Sequence, residues 1–117
     1  MAAVQSDGGT VRRIGSLIGL IAESAEEYTR LHSAAWPDVL DVLRQANITN
    51  YTIFRHADLL FSYMEYRGSD FEADMARVAA DPATKRWWAV VMPMQRTMRS
   101  SPEQDWWSPM DELFHLD

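Results

Sequence analysis

Polar and apolar positions change their period at Ser24. Val11 to Ile21 (VRRIGSLIGLI) opens with alternation and ends nearly all apolar, which predicts a strand entering a buried sheet. Ser24-Ala25-Glu26-Glu27 then follows the S-x-x-E order of a capping box and places a helix N-cap at Ser24. Tyr28, Leu31, His32, Ala35, Val39, Val42, Leu43 and Ala46 share one side of that helix. Glu26, Glu27, Arg30, Asp38, Asp41, Arg44 and Gln45 take the other. Pro37 cannot donate a hydrogen bond to the carbonyl of Ser33, so the helix is expected to kink near Ala34–Trp36 and continue to about Gln45.

Asn47 to Asn50 carries turn chemistry, and Tyr51-Thr52-Ile53-Phe54 is aromatic and β-branched, a strand. His56-Ala57-Asp58 is a short polar connection to a second strand, Leu59–Tyr66, so the two are expected to pair as a hairpin. Gly68-Ser69-Asp70 breaks that strand and caps a helix running to about Ala80. Asp81-Pro82 starts another helix through Arg86-Trp87-Trp88, limited by Pro93. Arg96 to Ser108 is a polar covering loop, and Met110 to Leu116 alternates weakly as a closing strand. This order approaches the split β-α-β arrangement, an α+β ferredoxin-like fold. Such a sheet carries helices on one face only, and a second copy is the economical cover for the other. A homodimer is expected, its sheets packed face to face or closed as a barrel.

Length and composition narrow the picture. With 117 residues, 47% of them hydrophobic, the chain is expected to form one domain over residues 11–117. Residues 1–10 (MAAVQSDGGT) are too small and polar to bury a face and lack a signal-peptide pattern, so they read as a disordered leader. A net charge of −6 argues against nucleic acid and anionic membrane as partners. No apolar run approaches a membrane span. The absence of cysteine excludes disulfides, zinc–thiolate sites and thiol nucleophiles, and fits a cytoplasmic setting.

Candidate chemistry centres on His32. Four residues after Tyr28 and four before Trp36, its imidazole faces the interior, where a polar group has either a partner or a task. It reads either as a satisfied core residue or as an acid–base group titrating near neutrality. The tandem Trp87-Trp88 project about 100° apart on a helix, so one can pack while the other walls a pocket or offers its face to a sugar. Trp106-Trp107, on a polar loop, suggests a lid or a dimer contact. Tyr51 can reach the sheet end, while Phe54, Tyr63 and Tyr66 read as core. His56 and His115 have no ligand-like spacing with His32, so no metal is expected. Walker, dinucleotide-binding and G-x-S-x-G patterns are absent.

The combination Glu27-Tyr28-x-x-x-His32-x-x-x-Trp36-Pro37, Asn50-Tyr51-x-Ile53-Phe54, Arg86-Trp87-Trp88 and Met110-x-Glu112-x-Phe114 resembles the L-rhamnose mutarotases. The resemblance covers about residues 11–116 in the family's order. It implies a dimeric α/β barrel of ferredoxin-like subunits and a cofactor-free isomerase interconverting α and β anomers of a 6-deoxy-hexose. By motif position it implies His32 as proton donor and Tyr28, Tyr51, Trp87 and Trp88 as sugar-binding residues. The chain departs from the pattern at His32-Ser33-Ala34-Ala35, and its Trp106-Trp107 loop and Phe-His-Leu ending point toward L-fucose or another 6-deoxy-sugar as an alternative. Alternatives of other classes are a haem-binding or oxygenase barrel with His32 as axial ligand, and a non-catalytic sugar-binding module.

Overall fold

The structure, a computed structural model, describes residues 10–117. Apart from Thr10, the expected leader lies outside the described residues. Five strands, β1 (Arg12–Leu20), β2 (Ile48–His56), β3 (Leu59–Tyr66), β4 (Gln95–Arg96) and β5 (Ser108–Met110), form one antiparallel sheet in the order β2-β3-β1-β4. This is the ferredoxin-like order. β1 is central, pairing with β3 from Arg12↔Tyr66 to Gly19↔Leu59. Along its other edge β1 takes β5 at Gly15–Leu17 and then β4 at Gly19–Leu20. Helices α1 (Ala25–Ser33), α2 (Pro37–Gln45), α3 (Phe71–Ala80) and α4 (Pro82–Val91) complete the fold.

Alternation along β1 and β3 decides where the core lies. Ile18, Leu20 and Leu60 point toward the helices and are almost fully enclosed, joined there by Tyr28, Val39, Trp87 and Val91. A second cluster, Ala46, Ile48, Tyr66 and Val78, fills the far end. There the Tyr66 hydroxyl donates to buried Asp74, and Asn47 Nδ2 donates to the same carboxylate at 3.1 Å, tying the end of α2 to α3. The opposite face of the sheet is uncovered. Across it run the rows Phe54–Phe61–Leu17 and Thr52–Tyr63–Gly15–Met110. Phe54 is 61% exposed there, not part of the core as expected.

Local structure departs from the sequence expectations at specific residues. The helix from Ser24 to Gln45 is two helices, not one kinked helix. A residue before proline is pushed to extended backbone, as Trp36 is (φ −66°, ψ 129°), and Pro37 opens α2 as its first residue, where its missing N–H costs nothing. Ser24 occupies the N-cap of α1, but a preceding 3-10 turn holds it in helical backbone and its hydroxyl caps nothing. Asp70 and Asp81 do cap, accepting from the N–H groups of Ala73 and Ala83. The turn expected at residues 47–50 shrinks to Asn47, in left-handed backbone (φ 68°), and β2 already begins at Ile48. The covering loop contains β4 at its start, and the closing strand is Ser108–Met110, ahead of the expected Met110–Leu116. Residues 111–117 are not in a strand, and Leu113, Phe114 and Leu116 project from the molecule.

Candidate active site

Tyr28 and His32 stand one turn apart on α1, and the helix ends just after the histidine. Their rings stack, with centroids 4.1 Å apart and planes 24° from parallel. Tyr28 is buried and His32 half-buried. His32 Nδ1 lies 2.8 Å from the Tyr28 carbonyl oxygen. A carbonyl can only accept, so Nδ1 carries the hydrogen and Nε2 keeps its lone pair. Nε2 has no hydrogen-bond partner among the described residues. Burial lowers the His32 pKa below its ordinary value, partly offset by the bond to the Tyr28 carbonyl. The imidazole therefore rests neutral at pH 7, with a basic nitrogen free.

The tandem tryptophans divide as their 100° separation demands. Trp87 faces inward and packs edge-on against both His32, at 5.1 Å, and Trp36, at 4.9 Å. Trp88 stays 39% exposed at the rim. Tyr51 reaches the same place through a bulge in β2. Between the pairs Thr49↔Glu65 and Thr52↔Tyr63, β2 spends one residue more than β3, with Asn50 in left-handed backbone (φ 50°). Ile48 and Tyr51 would face opposite sides of a regular strand; the extra residue lets both face the helices. Enclosure of its hydroxyl pushes Tyr51 up to about 12, with the nearby Tyr28 phenol adding a smaller contribution.

Tyr28, His32, Tyr51, Trp87 and Trp88 thus line one cleft of about 230 Å³. This is smaller than the roughly 300–1,000 Å³ of sites for drug-sized ligands and suits a monosaccharide. Ile53, Val91, Met92, Gln95, Trp106 and Trp107 complete its wall. A wider cleft of about 610 Å³ between α2 and β2 shares His32, Tyr51, Ile53 and Trp87. Trp106 and Trp107 are half-buried cleft walls in this chain.

Gln95 was missed by sequence reasoning. Buried on β4, it donates from Nε2 to the Tyr28 hydroxyl oxygen at 2.9 Å and accepts from Trp106 Nε1–H at 2.8 Å. Burial raises the Tyr28 pKa, and the Gln95 bond partly offsets it. Gln95 opens the polar stretch Gln95-Arg96-Thr97 after the apolar run VVMPM, a boundary that does not single it out. Among the described residues, no group of three or more His, Asp or Glu side chains is placed to hold a metal ion.

The profile of a family described as L-rhamnose mutarotase matches residues 13–116. An L-rhamnose mutarotase of Opitutus terrae is 36% identical over 97 residues, covering 78% of this chain and 85% of that protein. One from Listeria monocytogenes is 30% identical over 112 residues, covering 91% and 99%. The solved structure of L-rhamnose mutarotase from Formosa agariphila superimposes with a TM-score of 0.72 at 19% identity, covering 91% of this chain and 99% of that one. The last comparison speaks to the fold alone. Together these matches carry the mutarotase reading over the haem-binding barrel and the non-catalytic module.

Proposed function

The chain belongs to the L-rhamnose mutarotase family, carbohydrate isomerases that interconvert anomers, and on that premise we propose that the cleft between α1, α4 and β2 opens and recloses L-rhamnose without a cofactor. The observation that carries this reading is the convergence of a neutral, tautomer-fixed imidazole with two phenols and two indoles in one monosaccharide-sized cleft.

Ring opening needs a proton removed from the anomeric hydroxyl and a proton delivered to the ring oxygen. Both oxygens are bonded to the same carbon, so one nitrogen reaches both. Neutral His32 takes the anomeric proton at Nε2, the bond from C1 to the ring oxygen breaks, and the imidazolium gives that proton to the ring oxygen. The product is the open-chain aldehyde, with no net change in His32. Rotation about C1–C2 and the reverse transfers close the other anomer. His32 is thus the proton donor of the second half-step and the acceptor of the first. Tyr28 and Tyr51, phenols protonated at neutral pH with desolvation raising each pKa further, bind sugar oxygens. Trp88 offers its open face to the C–H side of the ring, and Trp87 holds the imidazole edge-on.

The active form proposed is a homodimer. Leu17, Phe54, Phe61, Tyr63 and Met110 make an apolar surface on the helix-free side of the sheet, larger than isolated exposed residues would be. The projecting Leu113, Phe114 and Leu116 add to what a second copy would cover.

The decisive experiment is saturation-transfer NMR at the anomeric protons of L-rhamnose and, separately, L-fucose, with catalytic amounts of protein. Accelerated exchange of L-rhamnose is expected. Exchange of L-fucose alone would assign the other 6-deoxy-sugar, and no acceleration of either would remove the catalytic proposal.

A further inference from the structure

Tyr28 is a symmetric hydrogen-bonding group until something chooses for it. A phenol gives one proton and accepts others, and its direction is set by what surrounds it. The amide of Gln95 beside it is equally ambiguous in shape, since its oxygen and nitrogen ends are nearly interchangeable. Trp106 removes both ambiguities. Its indole N–H is a donor only, so the Gln95 end facing it at 2.8 Å must be the oxygen. The end facing Tyr28 at 2.9 Å must then be the nitrogen, which has hydrogens and no lone pair to offer. Tyr28 therefore accepts from Gln95 and cannot donate to it. Its own proton has no acceptor among the described residues, and the space beside it is the cleft.

We infer that Gln95 is a positioning residue that, pinned by Trp106, turns the Tyr28 hydroxyl into an obligate donor toward an oxygen of the bound sugar. The inference rests on the proposed site, because it needs Tyr28 to touch the sugar. Its frame is well secured. Gln95 is buried and pairs with Leu20 of the central strand. The Trp106 carbonyl accepts from the Thr97 hydroxyl at 2.7 Å, and the Arg99 guanidinium lies over the indole, 5.2 Å from its centroid. The loop between β4 and β5 thus fixes one indole, the indole fixes one amide, and the amide fixes one proton. Accepting a hydrogen bond also polarises the phenol, which strengthens the bond it gives. The sugar atom that meets Tyr28 must then be a lone-pair oxygen facing the phenol.

Gln95→Glu tests this with almost no change of shape. At pH 8 a carboxylate facing two donors is ionised. It still accepts from Trp106, but it now also accepts from Tyr28 and draws the phenol proton out of the cleft. Exchange rates measured at sugar concentrations below KM report kcat/KM. Gln95→Glu is expected to lower kcat/KM about tenfold, the value of one reversed hydrogen bond, and to match Tyr28→Phe. In the Tyr28→Phe background the same substitution should change nothing, because no proton remains to redirect. A merely structural role would lower both backgrounds by the same factor, and that result overturns the inference, as would an unaffected Gln95→Glu enzyme. Should Gln95→Glu not fold, Trp106→Phe releases the pin instead; a loss in the native background that vanishes with Tyr28→Phe is expected, and an equal loss in both overturns the idea. If Tyr28→Phe alone leaves kcat/KM unchanged, Tyr28 does not touch the sugar, and the site assignment falls together with the inference.

Discussion

The pH profile of anomer exchange follows from the burial of one imidazole whose tautomer a hydrogen bond fixes. His32 donates Nδ1–H to the Tyr28 carbonyl, and burial holds the imidazole pKa below its ordinary 6.5. On the proposed mechanism the working form is the neutral ring, whose Nε2 takes the anomeric proton. The catalysed rate, after subtraction of the protein-free rate at each pH, should be flat from about pH 7 upward. Below the folded pKa the neutral fraction falls tenfold per pH unit, and the rate should follow with unit slope. His32→Ala removes the group and should cost about 10²–10⁴-fold, the usual scale of positioned acid–base help. Stability carries the same sign. The unfolded chain protonates His32 near 6.5 while the folded chain resists, so acidification below 6.5 favours unfolding. Saturation-transfer NMR across pH 5–8, with circular dichroism at each point to show that the fold persists, makes the measurement. A rate that rises as pH falls from 7 to 6 would mean that the imidazolium acts first, and would refute the neutral resting base.

The tandem tryptophans should separate by assay. Trp87→Ala empties a buried site and should cost about 3–5 kcal/mol in chemical denaturation; Trp88→Ala, at the rim, should raise KM with little change in stability. Gly19→Ala sets a methyl 2.8 Å from the Arg96 carbonyl oxygen, so β4 must shift. The expected cost is about 1–3 kcal/mol, with an accompanying loss of activity because Gln95 is the next residue on that strand; unchanged stability and rate would contradict the tight pairing. Phe54→Asp puts a charge into the apolar outer face; on the proposed homodimer, light scattering should find a pair for the parent and a monomer for the variant, and a monomeric parent would refute the pairing.

Much of the fold was legible because strong local signals agreed with it. The period change at Ser24, the aspartates before α3 and α4 and the strand Leu59–Tyr66 each survive in the structure. What escaped were features decided by tertiary contact. β4 is two residues long and exists because Gly19 allows the chain against β1; no periodicity can announce so short an element. β5 was misplaced because the alternation of Met110–Leu116 looked like a strand, whereas the pairing with β1 covers Ser108–Met110 against Gly15–Leu17 and goes no further. Phe54 looked like core because an aromatic residue on a strand usually is, and composition says nothing about which face lacks helices.

The cleft illustrates the same division. Tyr28 and His32 announced themselves by spacing, because a helix converts four-residue separation into contact. Tyr51 could be named but not aimed: its direction depends on a bulge created by Asn50, and one residue more or less in a strand reverses every side chain beyond it. Gln95 was silent, since an isolated amide after an apolar run has no meaning until Trp106, eleven residues later, is folded onto it. The irregular places (the break before Pro37, the bulge at Asn50 and the buried amide) all adjoin the cleft. Regular helix and strand would have carried the same side chains more cheaply, but with Tyr51 and Ile48 on opposite faces and no donor to turn the Tyr28 proton toward the cleft. These three departures from local rule fall where the proposed chemistry requires particular atoms in particular directions.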